Sequence, residues 1–135
     1  MITGIGHIAI RISDLDAALN FYRDGLGFEE AFRLERDGQV WLVYLQVAPG
    51  QFVELFPGGE PAARAGREVG YMHLCLAVDD IQATVAEFSA RGVAFDGDPR
   101  LGLDGSWQVW TVDPDGNRIE LMRIMPDSLQ ARAMR

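Results

Sequence analysis

Residues 7–22, "HIAIRISDLDAALNFY", and residues 73–88, "HLCLAVDDIQATVAEF", are two copies of one pattern. A shift of 66 residues lays His7, Asp14 and Leu15 over His73, Asp80 and Ile81. With no insertion, the same shift lays Trp41, Val43, Gly50 and Glu54 over Trp107, Val109, Gly116 and Glu120. The chain is therefore a tandem repeat, and its only two histidines occupy equivalent places. In each half a Glu follows the His by 47 residues, inside an apolar strand-like segment ("FVELF" and "RIELM"). With Glu at about 6% of positions, chance puts one at both equivalent sites only a few times per thousand.

Local pattern assigns the elements. Ile8, Ile10 and Ile12 alternate, which predicts a strand whose other face carries His7, Ala9 and Arg11. Leu74, Leu76 and Val78 do the same in the second half, leaving His73, Cys75 and Ala77 opposite. "SDLDAALNFYRDGLGF" predicts a helix with Ser13 as N-cap, Asp16 in a capping-box position and Gly25 as the stop. "DDIQATVAEFSARGV" repeats it, with Asp79 and Gln82 as the capping pair and Gly92 as the stop. Three strands follow each helix, at 28–35, 40–47 and 51–57, then at 93–99, 106–112 and 117–124, with "DPDGN" (113–117) as the last hairpin turn.

Each half is thus β-α-β-β-β and cannot cover both faces of its small sheet alone. The expected fold is α+β: one domain spanning 1–135, made of two paired βαβββ modules (1–57 and 71–124) around a barrel-like cleft. The Gly-, Pro- and Arg-containing segment 58–70 is the expected linker, and 125–135 a short tail.

Composition narrows the chemistry. A length of 135 residues suits one ordinary domain. The net charge of −8 opposes a nucleic-acid backbone and no arginine stripe offsets it, so nucleic acid is not an expected partner. No run approaches the ~18 apolar residues of a membrane span, and no basic-then-apolar leader opens the chain. A cytoplasmic location without membrane association is expected, in keeping with the single cysteine, Cys75. All twelve basic residues are arginine, which removes lysine bases and Schiff-base chemistry.

If the two sheets face each other, His7, Glu54, His73 and Glu120 supply four ligands for an octahedral divalent ion, with two positions left for water or substrate. Phe52 and Phe56 share a strand face with Glu54, and with Trp107 they are candidate substrate-pocket residues. Trp41, Tyr71 and Trp110 are further aromatic candidates, and Cys75, on the His73 face, reads as a small packing residue. "GIGHIA" has the letters of a nucleotide loop but precedes its strand instead of following one, and Ser106 lacks a nucleophile-elbow context.

These features resemble the vicinal oxygen chelate superfamily, the glyoxalase I, bleomycin-resistance and extradiol-dioxygenase group. The resemblance covers nearly the whole chain and rests on "GHIAIRISDLDAALNFYRDGLGF", "MHLCLAVDDI" and "VDPDGNRIEL". The set His7, Glu54, His73 and Glu120 is similar to the ligands of glyoxalase I, whereas extradiol dioxygenases use two His and one Glu. The resemblance implies one divalent metal (Ni, Zn, Co, Mn or Fe) per site and a lyase, isomerase or epimerase acting on a small carbonyl compound. Glu120 is then the preferred base, with Glu54 its symmetric counterpart. It also implies a homodimer, and a role for Arg11 in holding a substrate carboxylate. "ELFPGG" stands where glyoxalase I carries an asparagine for glutathione, which speaks against glutathione and leaves CoA-thioester or keto-sugar substrates. The alternatives are an Fe(II) ring-cleaving dioxygenase and a metal-free drug-sequestering module.

Overall fold

The alternation of Ile8, Ile10 and Ile12 produces strand β1 (His7–Arg11), and the chain then turns into helix α1 (Leu15–Leu19). The computed structural model describes residues 1–63, 66–67 and 69–134. Within that range the chain divides into two units, Met1–Ala63 and Arg64–Arg135. Arg64, Ala65 and Glu68 of the expected linker, and Arg135 of the tail, lie outside the described residues.

In the first unit the helix cap is Asp14, one residue later than the expected Ser13: the Asp14 carboxylate accepts from the Ala17 backbone N–H at 2.9 Å. Helix α1 continues as a π-helical turn, Asn20–Gly25, which buries Tyr22. Three strands follow: β2 (Glu29–Arg36), β3 (Gln39–Ala48) and β4 (Gln51–Phe56). Asp37 and Gly38 turn β2 into β3 with φ of 54° and 77°, the pair of positive angles that a tight two-residue hairpin needs. The sheet order is β1-β4-β3-β2, with β1 parallel to β4 and the other pairs antiparallel. Ile12, Leu19, Tyr22, Val43, Leu45, Val53 and Leu55 are buried and make the core of this unit. Each such side chain contributes about 1.5–3 kcal/mol through removal from water.

The second unit repeats the plan. Strand β5 (Leu74–Ala77) starts one residue after His73, and helix α2 (Ile81–Ala90) is capped by Asp80, which accepts from the Ala83 N–H at 3.0 Å, again one residue beyond the expected Asp79. Gly92 ends the helix with φ 92°, and the bonds Gly92 N–H to Ser89 O and Val93 N–H to Phe88 O satisfy its last carbonyls.

The strand expected at 93–99 does not form. Gly97 takes φ 82° and Pro99 has no N–H to donate, so only a two-residue strand β6 (Arg100–Leu101) pairs there. Residues 94–96 still follow the sheet edge through Asp96 N–H to Trp110 O (2.8 Å) and Thr111 Oγ1–H to Ala94 O (2.6 Å).

Strands β7 (Trp107–Val112) and β8 (Arg118–Arg123) complete a sheet of order β5-β8-β7-β6. Their hairpin is set by Asp113, whose carboxylate accepts from Asp115 N–H (3.0 Å), Asn117 N–H (2.7 Å) and Asn117 Nδ2–H (2.7 Å). The tail forms a short helix α3 (Leu129–Ala133) capped by Ser128, and Leu129 N–H donates to Asp104 O at 2.8 Å. No helix among the described residues is long and apolar enough to cross a membrane.

Candidate active site

In the first unit, strand register builds one polar cluster. β1 and β4 run parallel with His7 beside Phe52, Ala9 beside Glu54 and Arg11 beside Phe56, while β3 sets Tyr44 on the other side of Glu54. All of these residues share one sheet face by parity. Glu54 is buried at 7% exposure, and its Oε2 lies 3.4 Å from His7 Nε2. The Tyr44 hydroxyl sits 3.5 Å from His7 Nδ1, with the two rings edge to face. Burial, the Glu54 charge and a hydrogen bond to Glu54 hold the Tyr44 phenol above its ordinary value.

The second unit carries the equivalent cluster. Cys75 lies beside Glu120 on β5, and Trp110 faces Glu120 from β7. Glu120 is 4% exposed, and its Oε2 lies 3.2 Å from His73 Nε2. Trp110 packs edge-on against His73 with ring centres 4.8 Å apart. The Cys75 thiol is pushed up to about 12 by burial first, then by the charge of Glu120 and a hydrogen bond to it, with Asp104 adding to the effect. Part of the Cys75 surface is open to solvent, yet the sulfur lies against the carboxylate and stays protonated at neutral pH.

The donor atoms suit a divalent ion. A charge-assisted N–H to carboxylate bond is ~2.7–2.9 Å long. The two His–Glu separations, 3.4 and 3.2 Å, both exceed it. They match two donors each ~2.1 Å from a common ion at an angle of about 100–110°. Imidazole nitrogen with carboxylate oxygen is also the donor mixture such ions accept. Each pair belongs to its own unit, and among the described residues no three His, Cys, Asp or Glu side chains are grouped closely enough to hold an ion.

The other residues singled out from sequence divide. Phe52 and Phe56 lie on the Glu54 face. Arg11 also lies there, but its Nη1–H donates to Pro57 O at 3.3 Å and its guanidinium rests 5.4 Å from the Phe56 ring centre. Gly59 permits this approach, since a Cβ there would stand 2.7 Å from Arg11 Cγ.

Trp107 is set apart: it pairs with Arg123 and shares parity with buried Val109 and Thr111, on the sheet face opposite Glu120. Trp110, the other tryptophan of β7, is the one that lies beside the His73–Glu120 pair. The signal was present, because the shift of 66 lays Tyr44 over Trp110 and both sit across from the Glu of their own half.

The profile of the Glyoxalase/Bleomycin resistance protein/Dioxygenase superfamily matches residues 4–121. The chain belongs to this superfamily. The superfamily's fold is the one described above, a βαβββ plan present twice. This glyoxalase-superfamily chain is 34% identical over 126 residues to the ethylmalonyl-CoA/methylmalonyl-CoA epimerase of Cereibacter sphaeroides, covering 87% of the chain and 93% of the epimerase. It is 32% identical over 124 residues to the lactoylglutathione lyase of Haemophilus influenzae, covering 86% of the chain and 89% of the lyase. Among solved structures, the glyoxalase family protein from Enterococcus faecalis superposes with a TM-score of 0.77 at 29% identity, covering 89% of this chain and 97% of that one. The superfamily chain thus resembles enzymes named as epimerases and lyases.

Proposed function

We propose that the protein is a divalent-metal-dependent epimerase, isomerase or lyase that enolises a small carbonyl substrate, with His7, Glu54, His73 and Glu120 as the metal ligands. The observation that carries this reading is the twofold occurrence of a nearly buried carboxylate oxygen 3.2–3.4 Å from an imidazole Nε2. A buried carboxylate is costly unless a cation or several donors compensate it, and the separations leave room for an ion between each pair. The bound ion would supply Lewis-acid polarisation of the substrate carbonyl, which makes the neighbouring C–H more acidic.

The chain's own groups do the rest. Glu120 takes the proton from the carbon next to the carbonyl, and the C–H electron pair moves into the enolate. The carboxylic acid of Glu120 or Glu54 then returns a proton, to the same carbon for an epimerase or to the neighbouring carbon for an isomerase. Trp110 and Tyr44 keep His73 and His7 oriented, and Phe52 and Phe56 supply apolar wall on the Glu54 face. The similarity to an acyl-CoA epimerase, together with "ELFPGG" after Glu54, favours a thioester over a glutathione adduct.

The test is metal content per chain after chelation and reloading with Ni²⁺, Zn²⁺, Co²⁺, Mn²⁺ or Fe²⁺, beside α-proton exchange of methylmalonyl-CoA in D₂O followed by NMR. One ion per chain, lost in Glu120→Gln together with exchange, is the expected result. Two ions per chain would mean that each His–Glu pair binds alone. No stoichiometric ion would overturn the reading and leave the metal-free binding module.

A further inference from the structure

In the second unit the Arg91 guanidinium is paired with the Glu87 carboxylate. The Arg118 guanidinium instead lies over the Trp110 ring, 4.3 Å from its centre. Trp110 in turn abuts His73. Arg118 and Trp110 line a groove of about 320 Å³ whose remaining walls are Ala94, Phe95, Asp96, Thr111 and Val112. That volume is at the lower end of small-molecule sites.

We propose that this groove is a carboxylate-binding subsite built on Arg118, so that the substrate of the neighbouring His73–Glu120 pair is an anionic carbonyl compound. The inference of substrate class rests on the enolising reading above. The subsite itself does not, because the groove belongs to one unit and needs no metal.

Three features support it. A guanidinium whose face is occupied by an indole keeps its in-plane N–H donors free, and these match the two oxygens of a carboxylate. Arg118 and Glu120 lie on the same face of β8, two residues and hence about 7 Å apart along the strand. A carboxylate on Arg118 and an acidic C–H at Glu120 can therefore belong to one small acyl unit, a few bonds apart. Finally, the net charge of −8 repels anions from the protein as a whole, so retention of one requires a local cation. Asp96, on the groove wall and tied through its N–H to Trp110 O, puts a negative charge in the same groove, so its neutralisation should strengthen the hold of Arg118 on an anion.

The experiment uses the full chain, washed with chelator, and malonate as the probe, with dimethyl malonate as its uncharged counterpart. Binding is followed by calorimetry and by tryptophan fluorescence for the wild type, Arg118→Gln and Asp96→Asn. Malonate should bind with a Kd of about 1–10 mM while the diester does not. Arg118→Gln should weaken malonate binding about tenfold or more, and Asp96→Asn should tighten it roughly threefold. Arg118 is exposed, so an unchanged urea midpoint for Arg118→Gln verifies that the variant is folded. Equal malonate affinity in wild type and Arg118→Gln, equal binding of the diester, or no malonate binding would overturn the proposal. Metal content of the same samples after reloading with Ni²⁺, Zn²⁺, Co²⁺, Mn²⁺ or Fe²⁺ separates the two readings. Arg118-dependent malonate binding in a chain that takes up none of these ions sinks the enolising chemistry and leaves the anion subsite standing. A chain that takes up one of these ions but binds malonate independently of Arg118 does the reverse.

Discussion

Asp113→Ala tests whether one turn residue holds the register on which the second His–Glu pair depends. The buried Asp113 carboxylate accepts three N–H groups, two from backbone and one from the Asn117 side chain, at 3.0, 2.7 and 2.7 Å. A hydrogen bond to a charged acceptor contributes about 1.5–3 kcal/mol net. The donors at Asp115 and Asn117 are partly exposed and regain water when the carboxylate is removed, so each bond belongs at or below the low end of that range. The sum is then about 3 kcal/mol for Asp113→Ala. Asp113→Asn, which keeps one acceptor oxygen but faces Asn117 Nδ2 with a second donor, should lose about half of that. With a urea m-value near 2 kcal/mol/M, the midpoint should fall by about 1.5 M for the alanine variant and about 0.7 M for the asparagine variant. Chemical denaturation followed by circular dichroism reads both. An alanine variant within about 0.3 M of wild type would refute the assignment of the turn's stability to this carboxylate.

Three further outcomes follow from the geometry. Asp14→Ala and Asp80→Ala should each cost about 1 kcal/mol in urea unfolding, since these carboxylates cap the helices. Tyr44→Phe removes the hydroxyl beside His7 Nδ1 and should weaken zinc binding in a competition titration by up to about tenfold, whereas an unchanged affinity would show that His7 needs no such support. In metal-free protein the Cys75 thiol, held at about 12, exposes few thiolates at pH 8 and should react with iodoacetamide about a thousandfold more slowly than a free cysteine of pKa ~8.5. Its reactivity should rise as pH rises, and at fixed pH it should rise in Glu120→Gln, where burial still holds the proton on sulfur but the Glu120 charge no longer adds to it.

The repeat was legible in sequence because His, Asp, Trp, Gly and Glu recur at one fixed offset, and each His–Glu pair follows from a strand beside a strand. The helix caps were displaced by one residue because Ser13-Asp14 and Asp79-Asp80 each offer two capping side chains in succession. The repeat itself held the answer, since the offset lays Asp14 on Asp80. Residues 93–99 have the apolar start of a strand, but the positive φ at Gly97 and the missing donor of Pro99 restrict pairing to two later residues. The choice between Trp107 and Trp110 depends on counting through the 113–117 turn. Only the observed register, with Trp110 opposite Glu120, puts one on the site and the other behind it. Tyr44 was passed over because its repeat partner is a residue of different chemistry.

On the parallel neighbour strands the residues beside the two glutamates are Ala9 and Cys75, both small side chains. Their size is what leaves each carboxylate reachable from the sheet surface without any change in the residues that hold it. Positions 9 and 75 are therefore volume dials: a larger apolar residue at either would shrink the space over one carboxylate while sparing every candidate ligand. Substrate range can drift there in small steps during divergence, or be set deliberately in an engineered variant, with the proton-transfer groups left intact.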